Sequence, residues 1–131
     1  MVTKFEKSDY VALAEFRRSI RKFIRFAEEG ARAEGITPQQ HQVLLAIMGQ
    51  PNRDWALISE IADYMQLRHH TVVGLVDRCQ ATGLVQRTPS TKDRRKVEVS
   101  LTPRGQSILA RLVQRNTKEL ISLREYLKTE P

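Results

Sequence analysis

The chain has 131 residues, a length that fits one domain, and its net charge of +7 and isoelectric point near 10.0 are typical of proteins with an anionic partner, either nucleic acid or a membrane surface. No apolar run reaches membrane-spanning length, and the N-terminal residues lack the apolar core of a signal peptide. These features exclude a membrane-spanning protein and predict a cytoplasmic one.

Two helices are predicted in the first third of the chain. In residues 10–35, apolar side chains recur at the helical 3-4 spacing, and basic side chains fill the other face. The apolar positions are Leu13, Phe16, Ile20, Phe23, Ile24 and Ala27. Gly35 ends this helix, and Thr37 as N-cap, Pro38 at the first position and Gln40 at the capping-box position begin the second.

A short third helix and a fourth helix follow a loop at residues 49–54. Residues 56–65 place Leu57, Ile61 and Met65 on one face. The fourth helix has an apolar face formed by Val72, Leu75, Val76 and Cys79. Its opposite face carries His70, Thr71, Val73, Gly74, Asp77 and Arg78. Gly83 lies where a left-handed C-cap would end the fourth helix. The third and fourth helices together predict a helix-turn-helix.

A β-hairpin is predicted after the fourth helix. Its strands lie in residues 84–88 and 96–101, and in the second strand Val97, Val99 and Leu101 alternate with polar residues. The loop between the strands carries Lys92, Arg94 and Arg95. These side chains can reach a phosphate backbone or enter a minor groove, while Asp93 would orient a neighbouring guanidinium.

A long last helix completes the prediction. Thr102 and Pro103 form its N-cap and first position. Its apolar positions are Leu109, Leu112, Val113, Leu120, Leu123 and Leu127. The expected fold is mainly α with a small β-hairpin wing, a winged helix-turn-helix with a helical dimerisation region. We expect one intertwined domain, with dimerisation helices at residues 1–36 and 103–131 and the DNA-binding lobe at residues 37–102.

The segment from Gln39 to Leu112 resembles the MarR family of bacterial transcriptional regulators. The resemblance lies in "LISEIADYMQLRHHTVVGLVDRCQATGLVQR" and in the wing sequence "DRRKVEVSLTPRG". It implies a winged-helix homodimer on palindromic DNA, with Arg95 in the minor groove and Asp93 as its partner. Gln66 stands where members often have a turn glycine, and Cys79 where a leucine is usual.

The predicted DNA-binding residues cluster at the start of the fourth helix and in the wing. The helix N-terminus favours phosphate, and the fourth helix offers its polar face to the major groove. Gly74 in this helix has two interpretations. It allows close backbone approach to DNA, or it is a neutral glycine that the helix tolerates. The predicted site is Arg68, His69, His70, Thr71, Gly74, Arg78, Lys92, Asp93, Arg94 and Arg95.

Other chemistry is not indicated. His69 and His70 are adjacent and cannot form the i, i+4 pair of a helical metal site. Cys79 is the only cysteine, which excludes an internal disulfide, and its place on the apolar face predicts a small buried hydrophobe rather than a redox sensor. No catalytic constellation is present, so we expect no enzyme and no cofactor.

The sequence is therefore interpreted as a homodimeric regulator, a repressor released from a palindromic operator by a small aromatic or anionic effector. The resemblance suggests an effector pocket beside the dimerisation helices, while aromatic residues at helical spacing are usually core. The residues considered for that pocket are Tyr10, Phe16, Phe23, His41, Met48 and Trp55. The alternative function is a winged-helix module that docks an acidic protein partner.

Overall fold

The computed structural model describes residues 4–128, apart from the side chains of Tyr126 and Leu127, so the prediction for Leu127 lies outside the described residues. The described elements are α1 (Lys7–Ala33), α2 (Pro38–Met48), β1 (Trp55–Leu57), α3 (Ile58–Met65), α4 (His69–Ala81), β2 (Val85–Pro89), β3 (Val97–Leu101) and α5 (Pro103–Lys128). None of the described helices combines the length and the apolar character needed to span a bilayer.

The wing is a three-stranded antiparallel sheet rather than a hairpin alone. Its strand order is β1-β3-β2, with Trp55 opposite Ser100 and Leu57 opposite Glu98. The predicted third helix began too early, because Ala56 and Leu57 belong to β1. A three-residue strand is too short to show a period, so its pairing with β3 decides its conformation.

The starts and ends of the helices follow the predicted capping residues. The Gln40 backbone N–H donates to Thr37 Oγ1 at 3.0 Å, and the Thr37 N–H donates to Gln40 Oε1 at 2.9 Å. Gly35 and Gly83 have φ of 81° and 75°, the left-handed conformation that ends a helix. Gln66 also adopts this conformation, with φ of 55°, so the turn between α3 and α4 forms without glycine.

The hydrophobic core lies in the lobe formed by α2, α3, α4, the sheet and the first half of α5. Its fully buried side chains come from all of these elements, and Cys79 is among them, as predicted. The largest are Leu44, Ile47, Ile61, Leu84, Leu112, Val43, Val72, Val76, Val85, Val99 and Cys79. Because α4 and the wing sheet both pack on this core, the core fixes the position of the wing relative to the outward face of α4.

Helices α1 and α5 pair antiparallel beside the lobe, and the end of α1 adds Ala31 to the core. Arg111 bonds Glu34 at 2.9 Å, and the Arg115 guanidinium lies 4.4 Å from the Phe26 ring centroid. Most of the predicted apolar face of α1 is not buried within this chain: Leu13 is 59% exposed and Ile24 48%. The second half of α5 also exposes apolar side chains, with Leu120 and Ile121 at 40% and 50%.

Candidate nucleic-acid interface

The outward face of α4 is exposed and begins with a polar cluster. Arg68, the N-cap residue, and His69, His70 and Thr71 in the first turn are all exposed. The buried face of α4 packs into the core, so the first turn is held at the surface of the lobe, and the Arg68 side chain does not cap its N–H groups. Free N–H groups and the helix dipole make such a terminus favourable for phosphate.

Farther along α4, Gly74 and Arg78 continue the outward face. Arg78 is exposed, and Gly74 is half-buried. A Cβ atom built on Gly74 would have Arg78 Nη1, at 3.9 Å, as its only neighbour within 4 Å. Packing within the described chain therefore does not require glycine at this position.

The loop at the wing tip is a structured turn. The buried Ser90 hydroxyl accepts the backbone N–H groups of Lys92 and Asp93 at 3.2 and 3.3 Å. The Ser90 N–H donates to the Lys96 carbonyl at 3.0 Å, and the Lys96 N–H donates to the Asp93 carbonyl at 3.0 Å. Ser90 is not among the site residues predicted from the sequence, although a serine that begins a turn is a recognised signal.

The predicted pair of Asp93 and Arg95 is present. Asp93 Oδ1 accepts the Arg95 backbone N–H at 3.0 Å and the Arg95 Nε–H at 3.3 Å. The hydrogen bonds from the Arg95 backbone and side chain lower the pKa of the Asp93 carboxyl. Arg95 remains 89% exposed, and Lys92 and Arg94 are also exposed, so the wing tip presents three cations to solvent.

The structure places the wing beside the start of α4. His69 and Arg95 line one shallow cleft of about 260 Å³, together with Lys96 and residues 57–59. The two clusters predicted separately from the sequence therefore meet at this cleft. Arg78 lies at the opposite end of α4, in its last turn.

Arg87 belongs to this region, although it is not among the site residues predicted from the sequence. Its Nη2 lies 2.6 Å from Asp77 Oδ1, and its Nη1 donates to Gln80 Oε1. Arg87 is on β2 and its partners are on α4, so the guanidinium joins the wing sheet to α4. No local spacing in the sequence indicates a contact between a helix and a strand that follows it.

A separate cavity of about 410 Å³ lies between α1, α2 and the end of α3. It is lined by Phe23, Ile24, Ala27, Glu28, Pro38, Gln39, His41, Gln42, Leu45 and Tyr64. Burial lowers the pKa of the His41 imidazole, which favours its neutral form.

Four of the six residues considered for an effector pocket are not among those that line this cavity. Trp55 lies in β1 beneath the Arg53 guanidinium, 4.2 Å from ring centroid to Cζ. Met48 borders a groove between α2 and α5, Phe16 lies farther along α1, and Tyr10 is 63% exposed. Helical spacing identified aromatic positions but not which element each would face.

Cys79 has the surroundings of a structural thiol. It is fully buried, and burial raises its pKa to about 11, although the charge of Arg78 acts in the opposite direction. Within residues 4–128, no cluster of three or more His, Cys, Asp or Glu side chains could hold a metal ion.

Residues 34–96 match the sequence model of the MarR family. The HTH-type transcriptional repressor MdtR of Bacillus subtilis (strain 168) is 35% identical over 77 residues, which cover 59% of this chain and 48% of MdtR. The chain spans about half the length of the curated relatives that it matches first.

Solved structures agree in fold. AbsC, a MarR family transcriptional regulator from Streptomyces coelicolor, superposes with a TM-score of 0.74 at 16% identity, over 93% of this chain and 82% of AbsC. Bordetella bronchiseptica BpsR, whose DNA binding is regulated by 6-hydroxynicotinic acid, gives a TM-score of 0.64 at 23% identity, over 92% of this chain and 84% of BpsR. The winged helix-turn-helix fold predicted from the sequence is thus confirmed.

Proposed function

We propose that the chain is a sequence-specific DNA-binding transcriptional regulator, because it has a winged-helix fold and residues 34–96 match the sequence model of the MarR family. The observation that carries this proposal is that the exposed first turn of α4 lies beside the cationic wing tip, with His69 and Arg95 on one cleft. The similar proteins are named as regulators, which agrees with the expectation that the chain is not an enzyme.

In the proposed complex, α4 enters the major groove and the wing lies along the adjacent minor groove. Arg68, His69, His70 and Thr71 would contact phosphates and base edges at the start of α4, with Gly74 and Arg78 farther along the groove. Arg95 would enter the minor groove, whose negative potential attracts arginine. Lys92 and Arg94 would contact phosphates, and Asp93 would orient Arg95.

The proposed active form is a homodimer on a palindromic operator. Residues 1–36 and 103–131 would form the dimerisation region, and residues 37–102 the DNA-binding lobe. The support is the apolar surface of α1 and α5 that one chain leaves exposed. A two-fold axis would bury that surface and set two recognition helices roughly 34 Å apart, one turn of duplex.

Selection of bound duplexes from a random pool, followed by fluorescence anisotropy, tests DNA binding. We expect a short palindrome whose affinity falls steeply as salt rises, because phosphate contacts release counterions. The alternative, docking of an acidic protein, predicts no preferred duplex and a partner that remains bound after nuclease treatment. The absence of any selected sequence would refute the proposed function.

We further propose that the regulator is a repressor and that a small aromatic or anionic effector releases it. The cavity between α1 and α2 is the proposed effector site, because it joins a dimerisation helix to the lobe and combines apolar walls with His41 and Gln42. MdtR is named a repressor, and the DNA binding of BpsR responds to an aromatic acid. The assay is anisotropy on the selected duplex with a panel of aromatic acids.

A variant that fills the cavity makes the effector test specific. Gln42→Trp places a large ring at the cavity wall, and it should abolish release by an active acid while leaving affinity for the duplex in its absence unchanged. Equal release of wild type and variant would place the effector elsewhere. A reporter fused to the selected site distinguishes repression from activation.

A further inference from the structure

Asp77 is an acidic residue at the centre of the face that α4 would present to DNA. His70, Gly74 and Asp77 follow one another at i, i+4 and i+7, the spacing of a single line along a helix. The buried residues of α4, among them Val76 and Cys79, lie on the other side. The Asp77 side chain is 61% exposed, so its carboxylate lies on the outward surface.

A carboxylate in this position opposes DNA binding unless its charge is balanced. Phosphates and most base-edge acceptors repel it, and a nearby like charge weakens association more strongly at low salt than at high salt. Arg87 provides the balance in this chain. Its Nη2 lies 2.6 Å from Asp77 Oδ1, and its side chain is only 27% exposed, which leaves the guanidinium less accessible than its partner.

Two further contacts fix the position of Arg87. Its backbone lies in β2, where it pairs with Val99 of β3. Its second terminal nitrogen donates to Gln80, one turn after Asp77 on α4. The guanidinium therefore bridges two side chains that are one turn apart on α4.

We propose that Arg87 is a positioning residue for DNA binding, which acts through Asp77 by pairing its carboxylate and so removes an uncompensated negative charge from the recognition face. This inference rests on the proposed DNA-binding function, which it deepens. Arg87 is assigned no direct contact with DNA, in contrast to Arg95, whose side chain extends into solvent.

The test is a set of three variants measured by anisotropy on the selected duplex at several salt concentrations. Arg87→Ala should weaken binding roughly tenfold at low salt, with a smaller defect at high salt because the repulsion is screened. Asp77→Asn alone should bind as well as wild type or more tightly. The double variant, whose net charge equals that of wild type, should recover affinity to within about threefold of wild type.

Two controls isolate the pair. Arg25→Ala removes one positive charge from α1, where Arg25 lies 3.5 Å from Glu29, and it should change affinity less than about threefold. Arg87→Gln keeps a hydrogen-bonding side chain but removes the charge, so it should behave as Arg87→Ala does, including rescue by Asp77→Asn. Thermal unfolding of each variant establishes that it is folded.

The outcomes separate this inference from the proposed function. If wild type selects no duplex, the proposed function fails. If wild type binds but Arg87→Ala binds equally well, or Asp77→Asn does not restore its affinity, Arg87 does not act through Asp77. If Asp77→Asn alone weakens binding, the carboxylate itself contacts DNA and the inference is wrong.

Discussion

Single side chains at the wing tip differ in how firmly the protein holds them. Ser90 is buried and its hydroxyl accepts two backbone N–H groups, so the turn is built around it. Arg95 is bonded to Asp93 but is otherwise in solvent. A side chain oriented by a neighbour and still exposed can meet a ligand with little loss of conformational freedom, which favours binding.

Arg95→Ala should weaken DNA binding by about 1–3 kcal/mol, because an inserted guanidinium is lost. The melting temperature should not change, since 89% of the side chain is exposed. Fluorescence anisotropy on the selected duplex at physiological salt provides the measurement. Asp93→Ala should cost less than Arg95→Ala, because only the orienting partner is removed, and an unchanged dissociation constant for Arg95→Ala would overturn the assignment.

Cys79 should behave as a packed side chain and not as a sensor. With a pKa of about 11, only about one thiol in a thousand is ionised at pH 8, and burial blocks access to that fraction. We expect Ellman's reagent to label the folded protein only as fast as it unfolds. Cys79→Ala should bind DNA normally and respond to peroxide as wild type does, and loss of a peroxide response in this variant would contradict the structural role.

At the scale of elements, the junction between α4, the sheet and α5 depends on a close backbone approach. The Thr102 N–H donates to the Leu84 carbonyl at 3.0 Å, and the Thr102 hydroxyl donates to the Gly83 carbonyl at 2.6 Å. A Cβ atom built on Gly105 would lie 2.2 Å from the same Leu84 oxygen. The glycine after the wing is therefore required by the packing of α5 against the end of α4.

Two glycine substitutions should have opposite effects on stability. Gly105→Ala should lower the free energy of unfolding by about 1–3 kcal/mol, because the backbone must shift to avoid the Leu84 oxygen. Gly74→Ala has open space around its Cβ and should raise the free energy by about 0.5–1 kcal/mol through helix propensity. Urea unfolding measures both, and a neutral Gly105→Ala would contradict the close approach.

The free energy of unfolding should depend on pH through His41 of helix α2. Burial lowers the pKa of this imidazole, so the unfolded chain binds the proton at a higher pH than the folded chain does. The stability contribution is therefore complete above the unfolded pKa of about 6.5 and is lost as pH falls toward the lowered folded pKa. The urea midpoint of wild type should decrease as the pH is lowered from about 8 to about 5, and the midpoint of His41→Gln should decrease less.

The control for the His41 prediction lies in the variant itself. His69 and His70 remain in both proteins, so the two proteins differ only at position 41. If His41→Gln and wild type show the same pH dependence, His41 does not contribute to it.

At the scale of the whole molecule, the core and the exposed apolar surface are segregated. Ile108, Leu109 and Leu112 of α5 are buried in the lobe, whereas no described residue of α5 after Leu112 is buried. The second half of α5 therefore adds little to the stability of the lobe. Its apolar side chains, with those of α1, are a surface that a second copy would cover.

Removal of residues 116–131 should leave the lobe largely folded and convert the proposed dimer to a monomer. Affinity for the palindrome should then fall by orders of magnitude, because two half-sites no longer bind as one unit. Light scattering measures the oligomeric state of the full-length and the truncated protein, and anisotropy measures the affinity of each for the duplex. A monomeric full-length protein, or a truncated protein that stays dimeric with full affinity, would contradict the proposed assembly.

The sequence by itself determined the features that depend on residues within about one helical turn of each other. The Thr37 and Gln40 capping box, the left-handed glycines and the apolar face of α4 all involve neighbours in sequence, whose side chains meet whatever the rest of the chain does. That Asp93 orients a nearby guanidinium belongs to the same class, whereas the choice of Arg95 over Arg94 came from the resemblance to the MarR family.

Only the tertiary structure decided contacts between distant segments. Strand β1 is too short to have a period and exists because β3 pairs with it, and Arg87 reaches Asp77 only after the sheet has folded against α4. The same packing joins His69 and Arg95 in one cleft and leaves most of the aromatic residues of the predicted pocket outside the cavity. Such contacts follow from how several elements fill a common core, and no local pattern contains that information.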